Sequence, residues 1–175
     1  MQPLQKHIIL LTSIFLTYTP QFLSYCGYKT EFIKNVEHDI EIIKSSSKEG
    51  FNMIETLENS ELEHVILETD KNNKTIIDMH KVKNEEPQNT TIYYNAKDTK
   101  VYNSNDERTP VIGLSHELKH SLDADKGSID PMKYVPNIPQ YEIDAVNMEN
   151  KVREYLGEPK RTTYQGIQIP SIYLE

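Results

Sequence analysis

The 175-residue chain predicts an α+β domain. Three observations lead there. Apolar residues recur at helical spacing near the start and again after Thr109. The stretch between is rich in β-branched and aromatic residues and is broken by turn-type clusters. Proline and glycine then stand at the ends of the last two helical segments.

The elements follow in order. Over residues 30–44, Phe32, Ile33, Val36, Ile40 and Ile43 recur at helical spacings, and Ser45-Ser46-Ser47 and Gly50 end the helix. A short, weaker helix covers residues 51–58. The runs His64–Thr69 and Thr75–Met79 have strand composition, and Asp70-Lys71-Asn72-Asn73-Lys74 between them predicts a hairpin. Residues 82–90 read as a polar loop. Thr91–Asn95 and Lys100–Tyr102 predict a second hairpin. Ile92–Asn95 is placed to line a cleft and take up a substrate as an added strand. After a loop, Thr109 caps a helix with Pro110 in its first turn and Gly127 just past its end. Residues 128–138 read as a loop. The last helix starts near Pro139 and stops at Leu156-Gly157, with Pro159 beyond. The outcome is a small antiparallel sheet followed by two helices, all within one domain over residues 27–175.

Residues 1–26 are set apart. Lys6 and His7 precede the apolar run Ile8–Thr17, which is too short to cross a bilayer at about 20 residues per helix. This start reads as an export signal. Leu23-Ser24-Tyr25-Cys26 half-matches a lipoprotein processing box, with Tyr25 too large for its place. Cys26 is the only cysteine, so the chain forms no internal disulfide. The formal net charge is −8, from 27 acids against 19 bases. No basic stripe is present, which argues against nucleic acid as a partner. At long range this field favours basic substrate segments.

The chemistry sits in His116-Glu117-Leu118-Lys119-His120. Histidines at i and i+4 lie one above the other on a helix face, so both imidazoles reach one zinc ion. Glu117 lies beside that face, where it can take a proton from a water activated by the metal. Val111, Leu114, Leu118 and Leu122 cluster on the opposite side and pack into a core. A catalytic zinc needs a third protein ligand. On the last helix Glu142, Val146, Glu149, Arg153 and Leu156 form a stripe interrupted by three charges, which are costly to bury unpaired. Glu142 as ligand, with Glu149 paired to Arg153 one turn on as support, resolves this most simply. Glu149 is the competing ligand, and Asp123 and Asp125 are weaker alternatives. His38, His64 and His80 read as structural or exposed.

From Ser115 to Tyr164 the chain resembles the NleD-like effector metallopeptidases injected by type III secretion systems. The resemblance rests on the His-Glu-x-x-His helix, Glu142 with Ala145-Val146, Glu149-Asn150-Lys151-Val152-Arg153, Gly157-Glu158-Pro159-Lys160-Arg161, and Tyr164. It implies a zincin-like endopeptidase fold, one zinc on His116, His120 and Glu142, and Glu117 as general base. Arg161 and Tyr164 resemble an arrangement that supports the tetrahedral oxyanion, and a guanidinium and a phenol suit that task. The implied partner is a protein substrate, with mitogen-activated protein kinases as the target class of some members, and the chain is expected to act as a secreted monomer. Those effectors leave without a cleaved signal, whereas this start is more like a Sec signal. The rival readings are a non-catalytic exported binding protein with a vestigial metal helix, for which Glu117 has no use, and a lipoprotein anchored through Cys26.

Overall fold

The computed structural model describes residues 9–11, 31–101 and 107–175. The expected leader lies outside the described residues apart from Ile9–Leu11. So do Cys26 and Tyr102.

After a short N-terminal strand come two helices, α1 (Glu31–Ser46) and α2 (Lys48–Glu58). Phe32, Val36, Ile40 and Ile43 form the buried stripe of α1. Ser47 caps α2, its hydroxyl accepting from the Gly50 amide at 2.9 Å. Gly50 lies inside α2 rather than ending α1, and it admits the close approach of the two helices, since a Cβ there would meet the Ile43 carbonyl oxygen at 2.3 Å.

The sheet corrects the sequence reading. It holds β1 (Ile9–Leu11), β2 (His64–Glu68), β3 (Lys74–Ile76) and β4 (Thr90–Tyr94) in the order β1-β2-β4-β3. β1–β2 and β2–β4 are parallel, and β3–β4 is antiparallel. The expected hairpin between β2 and β3 therefore does not form. Burial explains the choice. β2 and β4 carry Ile66, Ile92 and Tyr94, all fully buried, and take the centre. β3 exposes Lys74 and Ile76 and takes the edge. β4 is paired on both sides, so Ile92–Tyr94 cannot accept an added strand, and among the described residues the unpaired edges of this sheet are the outer ones of β1 and β3. The second hairpin is also absent among the described residues, where Lys100 makes only an isolated bridge to Glu107. A short helix, α3 (Met79–Lys83), capped by Asp78, replaces the end of the expected Thr75–Met79 strand and the first residues of the expected 82–90 loop.

Helix α4 (Pro110–Asp125) runs through the centre of the molecule, against α5 (Gln140–Leu156), α1, α2, β3 and β4. It buries every residue except Pro110, Lys119 and Asp125. Thr109 holds the N-cap position but makes no capping bond, and its hydroxyl donates to Glu158. Gly127 follows the helix at φ 62°, where a Cβ would meet the Glu85 carbonyl oxygen at 2.4 Å. The expected loop before α5 contains a small hairpin, β5 (Tyr134–Val135) and β6 (Ile138–Pro139). Gly157 ends α5 in the left-handed conformation. A last hairpin, β7 (Thr163–Tyr164) and β8 (Ile167–Gln168), packs through Tyr164 onto a cluster of Val135, Ile138, Ile143, Val146 and Ile169. That contact holds Tyr164 over the first half of α5. No helix among the described residues is long and apolar enough to cross a membrane.

Candidate metal centre

Three ligand atoms converge between α4 and α5. His116 Nε2 lies 3.0 Å from His120 Nε2 and 3.1 Å from Glu142 Oε2. His120 Nε2 lies 3.3 Å from the same Glu142 oxygen. Metal–ligand bonds of about 2.0–2.1 Å in a tetrahedron place ligand atoms about 3.3 Å apart. The observed triangle therefore fits one face of a tetrahedral site. Among the described residues this is the one group of three His, Cys, Asp or Glu side chains close enough together to hold an ion.

The geometry follows from two helices meeting side by side. His116 and His120 share a face of α4, and their rings meet edge to face at 4.7 Å between centroids. Glu142 stands in the first turn of α5 and points across. Leu114, Leu118 and Val111 are buried on the other side of α4, as its periodicity predicts. Glu149, two turns along α5, is fully buried and accepts from His116 Nδ1 at 2.7 Å. That bond fixes the ring and turns Nε2 toward the ligand triangle. The sequence left Glu142 and Glu149 as competitors; in the structure Glu142 faces Nε2 of both histidines and Glu149 faces Nδ1 of one.

A family model for effector-protein peptidases, Peptidase_M91, matches residues 19–164. The chain belongs to this family. It is thereby an effector peptidase, in agreement with the resemblance carried by Ser115–Tyr164. No curated protein and no solved structure matches it.

In this Peptidase_M91 member the electrostatics of the centre are tightly matched. Burial works against a charged His116, yet hydrogen bonds to Glu142 and Glu149 outweigh it and push the imidazole up to about 10. Burial would raise Glu142, but the bonds to His116 and His120 hold it well below the usual carboxylate range. Glu149 is likewise held down, at about 2, by the His116 bond and the Arg161 charge despite its burial. Two imidazole nitrogens and a carboxylate oxygen, with a second carboxylate on His116 Nδ1, suit a divalent cation such as zinc.

Other sequence-selected residues fall differently. Glu149 does not pair with Arg153. Its Oε1 takes Arg161 Nη1 at 2.7 Å, while Arg153 turns to Glu158 at 3.2 Å and the Pro159 carbonyl at 3.3 Å. Both arginines are buried and choose partners by tertiary approach rather than by helical spacing. Arg161 also donates from Nε to the Thr163 carbonyl at 2.8 Å. Tyr164 stacks on His116 with 6.4 Å between centroids, and Arg161 lies over its other neighbourhood at 5.4 Å. Burial, then the Glu142 charge, raises the Tyr164 phenol, so it keeps its proton. Glu117 is buried beside the triangle, and Thr75 of β3 donates to its Oε2 at 2.7 Å. His38 and His80 are exposed, and His64 is buried with Thr90 and Asp125 as partners.

Sequence reasoning missed Thr75 and Tyr141, whose ring meets His120 edge-on at 5.7 Å. Thr75 lies in a recognisable strand, but nothing local reveals which helix that strand will cross. A cleft of about 510 Å³ opens beside the triangle and is lined by His116, Glu117, Arg108, Asn73, Arg161 and Tyr164. A larger groove beside α1 and β4 contains no histidine and lies apart from this chemistry.

Proposed function

We propose that the chain is a zinc-dependent endopeptidase, exported by a bacterium and acting on proteins of a host or target cell. The observation that carries this reading is the ligand triangle of His116, His120 and Glu142, with a buried carboxylate, Glu117, directly beside it. The arrangement of a central His-bearing helix and a second ligand-bearing helix is zincin-like. The apolar start is read as the export signal even though Ile9–Leu11 within it pairs with β2, and mitogen-activated protein kinases are the target class the family resemblance points to.

A bound zinc ion supplies Lewis acidity to a peptide carbonyl and makes hydroxide accessible at neutral pH. Glu117 takes the proton of the attacking water and passes it to the leaving nitrogen as the C–N bond breaks, so its own charge state is restored. Thr75 keeps Glu117 in one orientation. Tyr164 stays protonated and donates to the negative charge that develops on the carbonyl oxygen. Arg161, tied to Glu149 and to the Thr163 carbonyl, acts mainly by holding the Glu149–His116 pair and the Tyr164 ring in place. The free edge of β3 offers main-chain groups to an extended substrate.

The test is zinc content and cleavage of a denatured protein mixture by one monomeric chain. Wild type is expected to hold one zinc and to cleave. Glu142→Ala is expected to lose both. A Glu142→Ala chain that binds zinc as tightly as wild type ends this ligand assignment.

A further inference from the structure

The cleft beside the triangle carries charge that the chemistry above does not use. Arg108 precedes α4 and turns its guanidinium back over the first turns of that helix. Its side chain is 10% exposed. Among the described residues its charged partner is Asp98, at a long 3.5 Å, and its Nε is buried without a partner. Asn73 lies against it. The Asn73 carbonyl oxygen accepts from the Asn95 amide at 2.8 Å, and its buried Nδ2 has no acceptor. Buried donors left in this state are costly unless something supplies an acceptor.

Gly113 makes the arrangement fit. A Cβ at this position would lie 2.5 Å from Asn73 Nδ2, 2.7 Å from Arg108 Nη2 and 2.8 Å from Arg108 Cζ. The guanidinium and the carboxamide thus rest on bare helix backbone. Gly113 shares a face of α4 with His116 and Glu117, which follow it by three and four residues. That spacing is about 4.5–6 Å along the axis. An extended peptide advances about 3.3 Å per residue. A side chain at this spot therefore belongs to a residue within two positions of the bond being cut. The other carboxylates of the cleft are engaged, Glu149 by His116 and Arg161, and Glu117 by Thr75.

We infer that Arg108 and Asn73 Nδ2, seated on Gly113, form a subsite for a carboxylate side chain, Asp or Glu, of the substrate. The inference rests on the peptidase reading and sets its local specificity. A planar guanidinium matches a carboxylate and gains strength in a cleft that excludes water. This local preference runs against the −8 charge of the whole chain, which acts at longer range on the approach of substrate.

The experiment uses the full zinc-loaded chain and two readouts. A randomised synthetic peptide library is cleaved and the cut sites are read by mass spectrometry. In parallel, blocked tripeptides with central Glu, Gln or phosphoserine are titrated by NMR. Asp and Glu are expected to exceed Asn and Gln about tenfold at one position within two residues of the cut, and the Glu tripeptide to bind about tenfold tighter than the Gln one. Arg108→Gln is expected to abolish both differences. Asn73→Asp keeps the shape and the Asn95 bond but fills the subsite with its own charge, and is expected to do the same while remaining folded. Equal treatment of Glu and Gln overturns the inference, as does a preference that survives both variants. Stronger binding of the phosphoserine peptide than of the Glu peptide overturns the carboxylate assignment. A chain that cleaves without acidic preference sinks this inference and leaves the peptidase reading standing. Arg108-dependent Glu binding without any cleavage does the reverse.

Discussion

The Thr75 hydroxyl lies 2.7 Å from Glu117 Oε2 and 3.0 Å from its main-chain oxygen, so its single proton is shared between two acceptors of one residue, with the carboxylate the nearer. A residue of the edge strand thus grips the residue placed as general base. The second contact ties β3 to the backbone of α4, so strand and helix hold the carboxylate together. Thr75→Val keeps the shape and removes the hydroxyl. It is expected to lower kcat about tenfold, less than the roughly 10²–10⁴ that a proton-transfer group contributes in full, because the base is kept and only its placement is loosened. Zinc content should not change, and Thr75→Ser should restore the rate. A Val variant with full kcat contradicts the positioning role.

Glu149 bonds His116 Nδ1, the ring nitrogen that faces away from the ligand triangle. Glu149→Gln keeps the size and removes the charge. Loss of such a partner typically weakens metal affinity about 10–100-fold. Competition with a chromogenic chelator measures it. Unchanged affinity means that the His116 ring does not need this carboxylate.

Tyr164→Phe removes one hydroxyl and leaves the stacking on His116. Removal of a single oxyanion donor costs about 10²–10³ in kcat. KM and zinc content should stay near wild type, because the group acts on charge that develops only during the reaction. A rise in KM alone assigns Tyr164 to binding instead.

Asp39 offers a pH test far from the metal. It accepts from the Tyr94 hydroxyl at 2.6 Å. Burial raises its carboxyl above the ordinary value, although the Tyr94 bond works the other way. With the folded pKa above the unfolded one, its contribution to stability is full below about pH 4 and is lost as pH rises through the folded pKa. Asn at this place has no such loss and still accepts from Tyr94. The stability of Asp39→Asn relative to wild type should therefore improve between about pH 4 and about pH 7. Urea unfolding at both values measures the shift, and a constant or reversed difference contradicts it.

What was legible in the sequence was local. The ends of α4 and α5 show in Pro110, Gly127 and Gly157, and the ligand faces follow from spacings of three and four. Glu142 and Glu149 stood out because charges interrupt an otherwise apolar stripe. What was hidden depends on residues distant in the chain. β2 passes over its neighbour β3 to pair with β4, since central strands are chosen by burial on both faces. Glu149 passes over Arg153, one turn away, for Arg161 beyond the helix end. Thr75 and Arg108 reach the site only because β3 and the lead into α4 cross it, which no periodicity reports.

The most direct measurement compares peptide-bond cleavage by wild type and by Glu117→Gln, each confirmed to carry one zinc. Wild type is expected to cleave, to stop when zinc is chelated, and to recover when zinc is returned. Glu117→Gln is expected to keep its zinc, since Glu117 lies outside the ligand triangle, and to lose at least about 10²-fold in rate, as removal of a general base entails. Cleavage by zinc-loaded Glu117→Gln at the wild-type rate would contradict the account.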